Sequence, residues 1–157
     1  MKKFLNSNQL KLIAVCAMIF DHLLWVIKPG YNNGTAYLIL HTFGRIVTPI
    51  FCFFIAEGAY YTHSRKKYLS RLLIFALISH FAYCFAFGIN FIPFSTGTYF
   101  NQTSIMWSLA LGIIGIIVQD SNIKNIWKTI ITLLLCVLGF PSDWSSVAVM
   151  IVIYNYV

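Results

Sequence analysis

The chain has 157 residues, 59% of them hydrophobic and 17% aromatic, with only 10% charged. A soluble domain carries about 25% charged residues, so this composition excludes a water-surrounded globule and points to a membrane protein. The net charge of +7 follows the membrane topology set out below and gives no argument for a nucleic-acid partner.

Apolar segments long enough to span or nearly span a bilayer, about 20 residues each, lie near residues 10–27, 37–61, 71–91, 103–119, 126–140 and 145–157. They predict an all-α, polytopic transmembrane helical bundle of about six hydrophobic segments in a single domain, 1–157. Lys2 and Lys3 precede the first span as in a signal peptide. No small-residue cleavage site follows, Val15 is a poor residue before a lipoprotein Cys16, and Asp21-His22 interrupts the run, so the segment reads as a retained helix. Pro29-Gly30 and Pro141-Ser142 mark helix ends. Cys16, Cys52, Cys84 and Cys136 all fall inside spans without close spacing, as small packing residues do. The last segment, 145–157, is too short to cross alone. The chain is therefore expected to be a truncated form of a longer one, the alternative being a last helix that ends within the bilayer against a partner.

Lys2, Lys3 and Lys11 precede the first span, Arg65, Lys66, Lys67 and Arg71 lie between the second and third, and Lys124 and Lys128 between the fourth and fifth. The opposite loops, near 28–36, 92–102 and 141–144, carry only Lys28. The positive-inside rule then sets the N-terminus in the cytoplasm and those loops outside.

Polar residues inside the spans are the candidate site, because a charge at the bilayer centre costs about 2.5–3.5 kcal/mol on insertion scales and must find a partner. Counting about 1.5 Å per residue from the cytoplasmic ends puts Asp21 and His22 near 17 Å, Glu57 near 6 Å, Arg45 near 24 Å, His41 near 30 Å and His80 near 14 Å. This ruler pairs Asp21 with Arg45 and Glu57 with Lys11. Pro49 cannot donate to the Arg45 carbonyl, so the second span should be loosened there. A lone polar residue such as His80 also serves as helix–helix glue, and topology alone accounts for the basic cluster.

The stretches Lys11 to His22, Gly44 to Thr62 (with Arg45, Pro49, Glu57 and Gly58), Arg65 to Leu69, Arg71 to Ser79, Ser108 to Gly112 and Asp143-Trp144 resemble the TraX family over nearly the whole chain. That resemblance implies an integral inner-membrane protein of the kind credited, in conjugative plasmids, with N-terminal acetylation of pilin. A weaker likeness is to the membrane acyltransferases that acetylate bacterial surface sugars. Those carry an arginine before a catalytic histidine in the first span, where this chain has Lys11 and His22. Lysine there forgoes a bidentate grip on phosphate.

Together these imply transfer of an acetyl group from acetyl-CoA to an acceptor amine or hydroxyl, such as the N-terminus of a pilin-like or other cell-surface protein. His22 is the candidate base, a role suited to imidazole near neutral pH. Asp21 lies about 100° from His22 around the helix and is better placed to hold Arg45, which would face the developing oxyanion. Arg65, Lys66, Lys67 and Arg71 are expected to bind the CoA phosphates, with Lys11 and Glu57 along the donor's path. No local metal-ligand spacing occurs. Two other classes stay open: an intramembrane proton or ion pathway through Asp21, His22, Glu57 and His80, and an inactive assembly protein.

Overall fold

A computed structural model describes residues 6–27, 34–92 and 99–156. Lys2, Lys3 and the expected loop carrying Lys28 and Pro29-Gly30 lie outside the described residues. The elements are all helical: α1 Ser7–Ile27, α2 Thr35–Arg45, α3 Val47–Tyr61, α4 Arg65–Phe87, α5 Ile105–Gln119, α6 Asn125–Gly139 and α7 Ser145–Tyr156. Among the described residues the strand-like pairing is an isolated bridge between Thr103 and Ser142. Ser7–Ile27, Leu38–Tyr61 and Arg65–Phe87 are long and apolar enough to cross a membrane, and α5, α6 and α7 are shorter apolar helices. The chain is thus an all-helical membrane protein, as its composition predicts. Leu12, Ile13, Phe20, Ile74, Phe75 and Phe85 lie on helix surfaces, exposed. In water such a surface would carry a cost of about 25 cal/mol per Å², and in lipid it carries none.

The helix boundaries follow the apolar runs with two corrections. The second span is broken at Ile46, between α2 and α3, where the Ile46 amide bonds back to the Phe43 carbonyl at 3.3 Å in a tightened last turn. Pro49 accordingly sits in the first turn of a new helix, where its missing N–H leaves no bond unmade. The third span begins earlier than 71. Ser64 caps α4 by accepting from the Lys67 amide at 3.5 Å, so Arg65, Lys66, Lys67 and Arg71 stand on its first two turns and not in a loop. At the other end Gly88 adopts φ +64, a left-handed conformation that stops the helix at Phe87.

The residues form two compact units, Met1–Phe51 and Cys52–Val157. In the first, α1 packs on α2. Gly44 makes the close approach possible, because a Cβ there would overlap the side chain of Asp21.

In the second unit α5 is the central element and packs against α4, α6 and α7. It is apolar all round and buried from Ser108 through Ile113, as a core helix should be. Gly112 and Gly115 let α7 come close: a Cβ on either would run into Val152 or Ile153. Contacts of Ser108 with Ser145 and of Asp120 with Tyr156 make α5 and α7 parallel, with α6 returning between them.

The segments that enter α5 and leave α6 are stitched together. The Gln102 and Thr103 amides donate to the Pro141 carbonyl at 2.7 and 3.1 Å, and the Asp143 amide donates to the Thr103 carbonyl at 3.0 Å. Ser108 and Ser142, both fully buried, hydrogen-bond each other and the Gly139 carbonyl. Non-helical backbone is tolerated in a membrane protein where its polar groups are satisfied in this way.

Candidate functional site

The polar residues of the first unit converge on one pair. Asp21, on the last third of α1, lies 2.8 Å through Oδ1 from Nδ1 of His41 on α2. The His41 side chain is fully buried and that of Asp21 is 14% exposed. The Trp25 ring, one turn along α1, lies 4.8 Å from the imidazole at a tilt of 48°. Gly44, one turn along α2, gives the Asp21 side chain its room.

A carboxylate only accepts hydrogen bonds, so Nδ1 of His41 is the donor and a neutral imidazole keeps its lone pair on Nε2. An acid that fixes the tautomer and orientation of a histidine, leaving the far nitrogen basic, is the geometry from which histidine acts as a general base.

The ruler from the cytoplasmic ends put these two residues on different levels. His22 is half-buried on α1, and Arg45 is exposed on the last turn of α2. Lys11, exposed, belongs to the first unit, and Glu57, half-buried in α3, to the second. The signal that would have found His41 is the shared loop: contacts of Asp21 with Gly44 and of Trp25 with His41 make α1 and α2 antiparallel. Heights counted from the loop then match.

In the second unit the basic residues divide. Arg65 forms an ion pair with Asp120 and a hydrogen bond to the Tyr156 hydroxyl, which itself donates to Asp120 Oδ2 at 2.7 Å. Its guanidinium carbon also lies 5.1 Å from the Tyr156 ring centre. Arg65 thus ties the start of α4 to the ends of α5 and α7. The Tyr156 hydroxyl first, and Arg65 after it, hold the Asp120 carboxyl below the usual carboxylate range. Sequence reasoning passed over Asp120, although topology puts it on the same membrane face as Arg65. Lys66, Lys67 and Arg71 remain exposed on the first two turns of α4. Lys66 and Lys67 stand in the first turn, where cations oppose the helix macrodipole, so an anion bound there would relieve them.

His80 has a different task. Its Nε2 donates to the Phe91 carbonyl at 2.9 Å, so Nδ1 accepts from the Thr103 hydroxyl at 3.1 Å. Both nitrogens fasten chain segments beyond the end of α4. All four cysteines are free, with Cys52 and Cys84 buried and Cys16 exposed. Among the described residues no three His, Cys, Asp or Glu side chains gather as a metal site.

A family model described as TraX protein matches residues 6–157. The chain is 30% identical over 142 residues to a protein from Dichelobacter nodosus named "Probable fimbrial assembly protein FimC, serogroup H1", which covers 88% of this chain and 57% of that protein. The chain therefore spans little more than half the length of this curated relative. No solved structure matches it.

Proposed function

This chain belongs to the TraX family, and from that premise we propose that it is a membrane-embedded acetyltransferase serving fimbrial or pilus assembly. The observation that carries the reading is the Asp21–His41 pair, 2.8 Å apart with His41 enclosed. The name of the Dichelobacter nodosus relative supports a pilin-like acceptor. Membership of the TraX family supports an inner-membrane protein, and the distribution of Lys and Arg supports a cytoplasmic N-terminus.

Acetyl-CoA, when bound, supplies the acetyl group through its thioester carbon. The residues of this chain have distinct parts. Asp21 accepts from Nδ1 of His41 and holds the ring, while Nε2 takes the proton of the acceptor amine as the new C–N bond forms and the C–S bond breaks. The same proton then passes from Nε2 to the leaving sulfur. Within the second unit, Lys66, Lys67 and Arg71 on the first two turns of α4 are exposed cations suited to phosphate oxygens. Arg65, engaged by Asp120 and Tyr156, keeps those turns in place.

The test uses purified protein in detergent with radiolabelled acetyl-CoA and a peptide amine, comparing wild type, His41→Gln and His22→Gln. Label transfer that His41→Gln abolishes and His22→Gln leaves intact is expected. Loss confined to His22→Gln would return the base to the first span, and no transfer by the wild type with any amine or hydroxyl acceptor would end the enzyme reading.

A further inference from the structure

A cavity of about 840 Å³ lies in the second unit, walled by α4, α5, the end of α6 and residues 99–103. Its size falls within the range of about 300–1,000 Å³ typical of sites for small molecules. The chemistry of its wall decides what it can hold. Polar side chains on the wall have partners within the protein. The two nitrogens of His80 are engaged by Thr103 and Phe91, the Gln102 amide donates to the Phe100 carbonyl at 3.1 Å, and the Trp107 indole donates to the Leu138 carbonyl at 3.0 Å. The rest of the wall is apolar, including Ala76, Leu77 and Val137. A polar occupant would give up its hydration for few new bonds, whereas an apolar one loses nothing.

The mouth of the cavity is as informative. Leu77 and Val137 line it and are 61% and 65% exposed, on a unit whose α4 is long and apolar enough to cross a membrane. The medium outside that mouth is therefore acyl chain. From Leu73 to His80 the groove follows α4 for about 10 Å, most of the roughly 15 Å of hydrocarbon in one leaflet. Its polar end, at His80 and Thr103, lies toward the end of α4, about two turns short of Phe87.

We propose that this cavity is a lipid site that takes one acyl chain of a bilayer phospholipid, with the headgroup toward the His80–Thr103 end. The proposal is independent of acetyl transfer, since no residue of the Asp21–His41 pair takes part.

Protein extracted in a mild detergent and weighed intact by native mass spectrometry is expected to retain a phospholipid. Ala76→Trp, which fills the cavity, and Val137→Trp, which covers its mouth, should lose it while eluting at the wild-type size. Should Ala76→Trp fail to fold, quenching keeps the proposal falsifiable. A trace of phospholipid brominated in mid-chain should quench wild-type emission more than that of Trp107→Phe, and unlabelled phospholipid should reverse the difference. Retention of detergent or free fatty acid alone, equal phospholipid in wild type and Val137→Trp, or equal quenching with and without Trp107 would each overturn it.

Discussion

Asp21 and His41 meet because each lies six residues from the gap between α1 and α2: α1 ends at Ile27 and α2 begins at Thr35. At about 1.5 Å per residue both are about 9 Å from those two helix ends, which puts them level on two antiparallel helices. The acid that interrupts the first span and the histidine four residues before Arg45 in the second are one largely buried pair.

If that unit is the base of an acetyl transfer, breaking it from either side should have a similar effect. General-base contributions run at about 10²–10⁴-fold. His41→Gln and Asp21→Asn should each lower the initial rate of label transfer by at least about 100-fold, with the protein still in the membrane fraction. Asp21→Asn presents an amide that can donate, and so no longer dictates which nitrogen of His41 carries the proton.

Gly44→Ala tests the close approach beneath the pair. Alanine is the better helix former by about 1 kcal/mol, so an open site would gain stability. Here the new methyl meets Asp21, and overpacking of this kind costs about 1–3 kcal/mol. A lower melting temperature in detergent, together with reduced transfer, is expected.

Gly115→Leu applies the same logic to the second unit. The side chain would enter the space of Ile153, and a loss of about 1–3 kcal/mol should appear as a fall in melting temperature. Leu133→Ala, at an exposed position of α6, is the control and should change little.

The Asp120 clamp predicts an acid-side effect. Its carboxyl is held low in the folded chain by Tyr156 and Arg65, so its contribution is fully present above the unfolded value near 3.9. That contribution is lost as pH falls through the lower folded value. Because the Asp120 side chain is 41% exposed, the contribution should not exceed about 1 kcal/mol. Asp120→Asn should melt slightly below wild type at neutral pH, and the two curves should converge only below about pH 4. Tyr156→Phe should shift in the same direction.

The helices were legible where a single long signal wrote them. Apolar runs placed α1, α5, α6 and α7 within a few residues, because lipid-facing and buried positions are both hydrophobic. Pro49 pointed to a loosened stretch at the Arg45 carbonyl, but a full break at Ile46 with a new helix from Val47 was not legible, because proline is also tolerated in a first turn and only the backbone tells the two cases apart. The start of α4 was missed because its charged first turns read as a loop, although Ser64 offered a cap. At the candidate site Asp21 was found from its cost in a membrane, while the His41 beside it was not. Heights summed from the far end of a span assumed to be one straight helix accumulate error over about twenty residues, and the break at Ile46 lies within that count. Asp120 was missed for another reason: a carboxylate in a loop costs nothing by itself, so nothing in its own surroundings asked for Arg65.

The stitch between residues 102–103 and 141–143 gives the second unit two unlike ends. One is closed by amide–carbonyl bonds and buried serines, which take no notice of salt. The other, where Arg65 meets Asp120 and Tyr156, is partly exposed and loses attraction as ions screen it. Fraying should therefore have a direction. Hydrogen exchange should be slow around Thr103 and Ser108 and begin at Asp120 and Asn155, and added salt should hasten the second set while leaving the first unchanged.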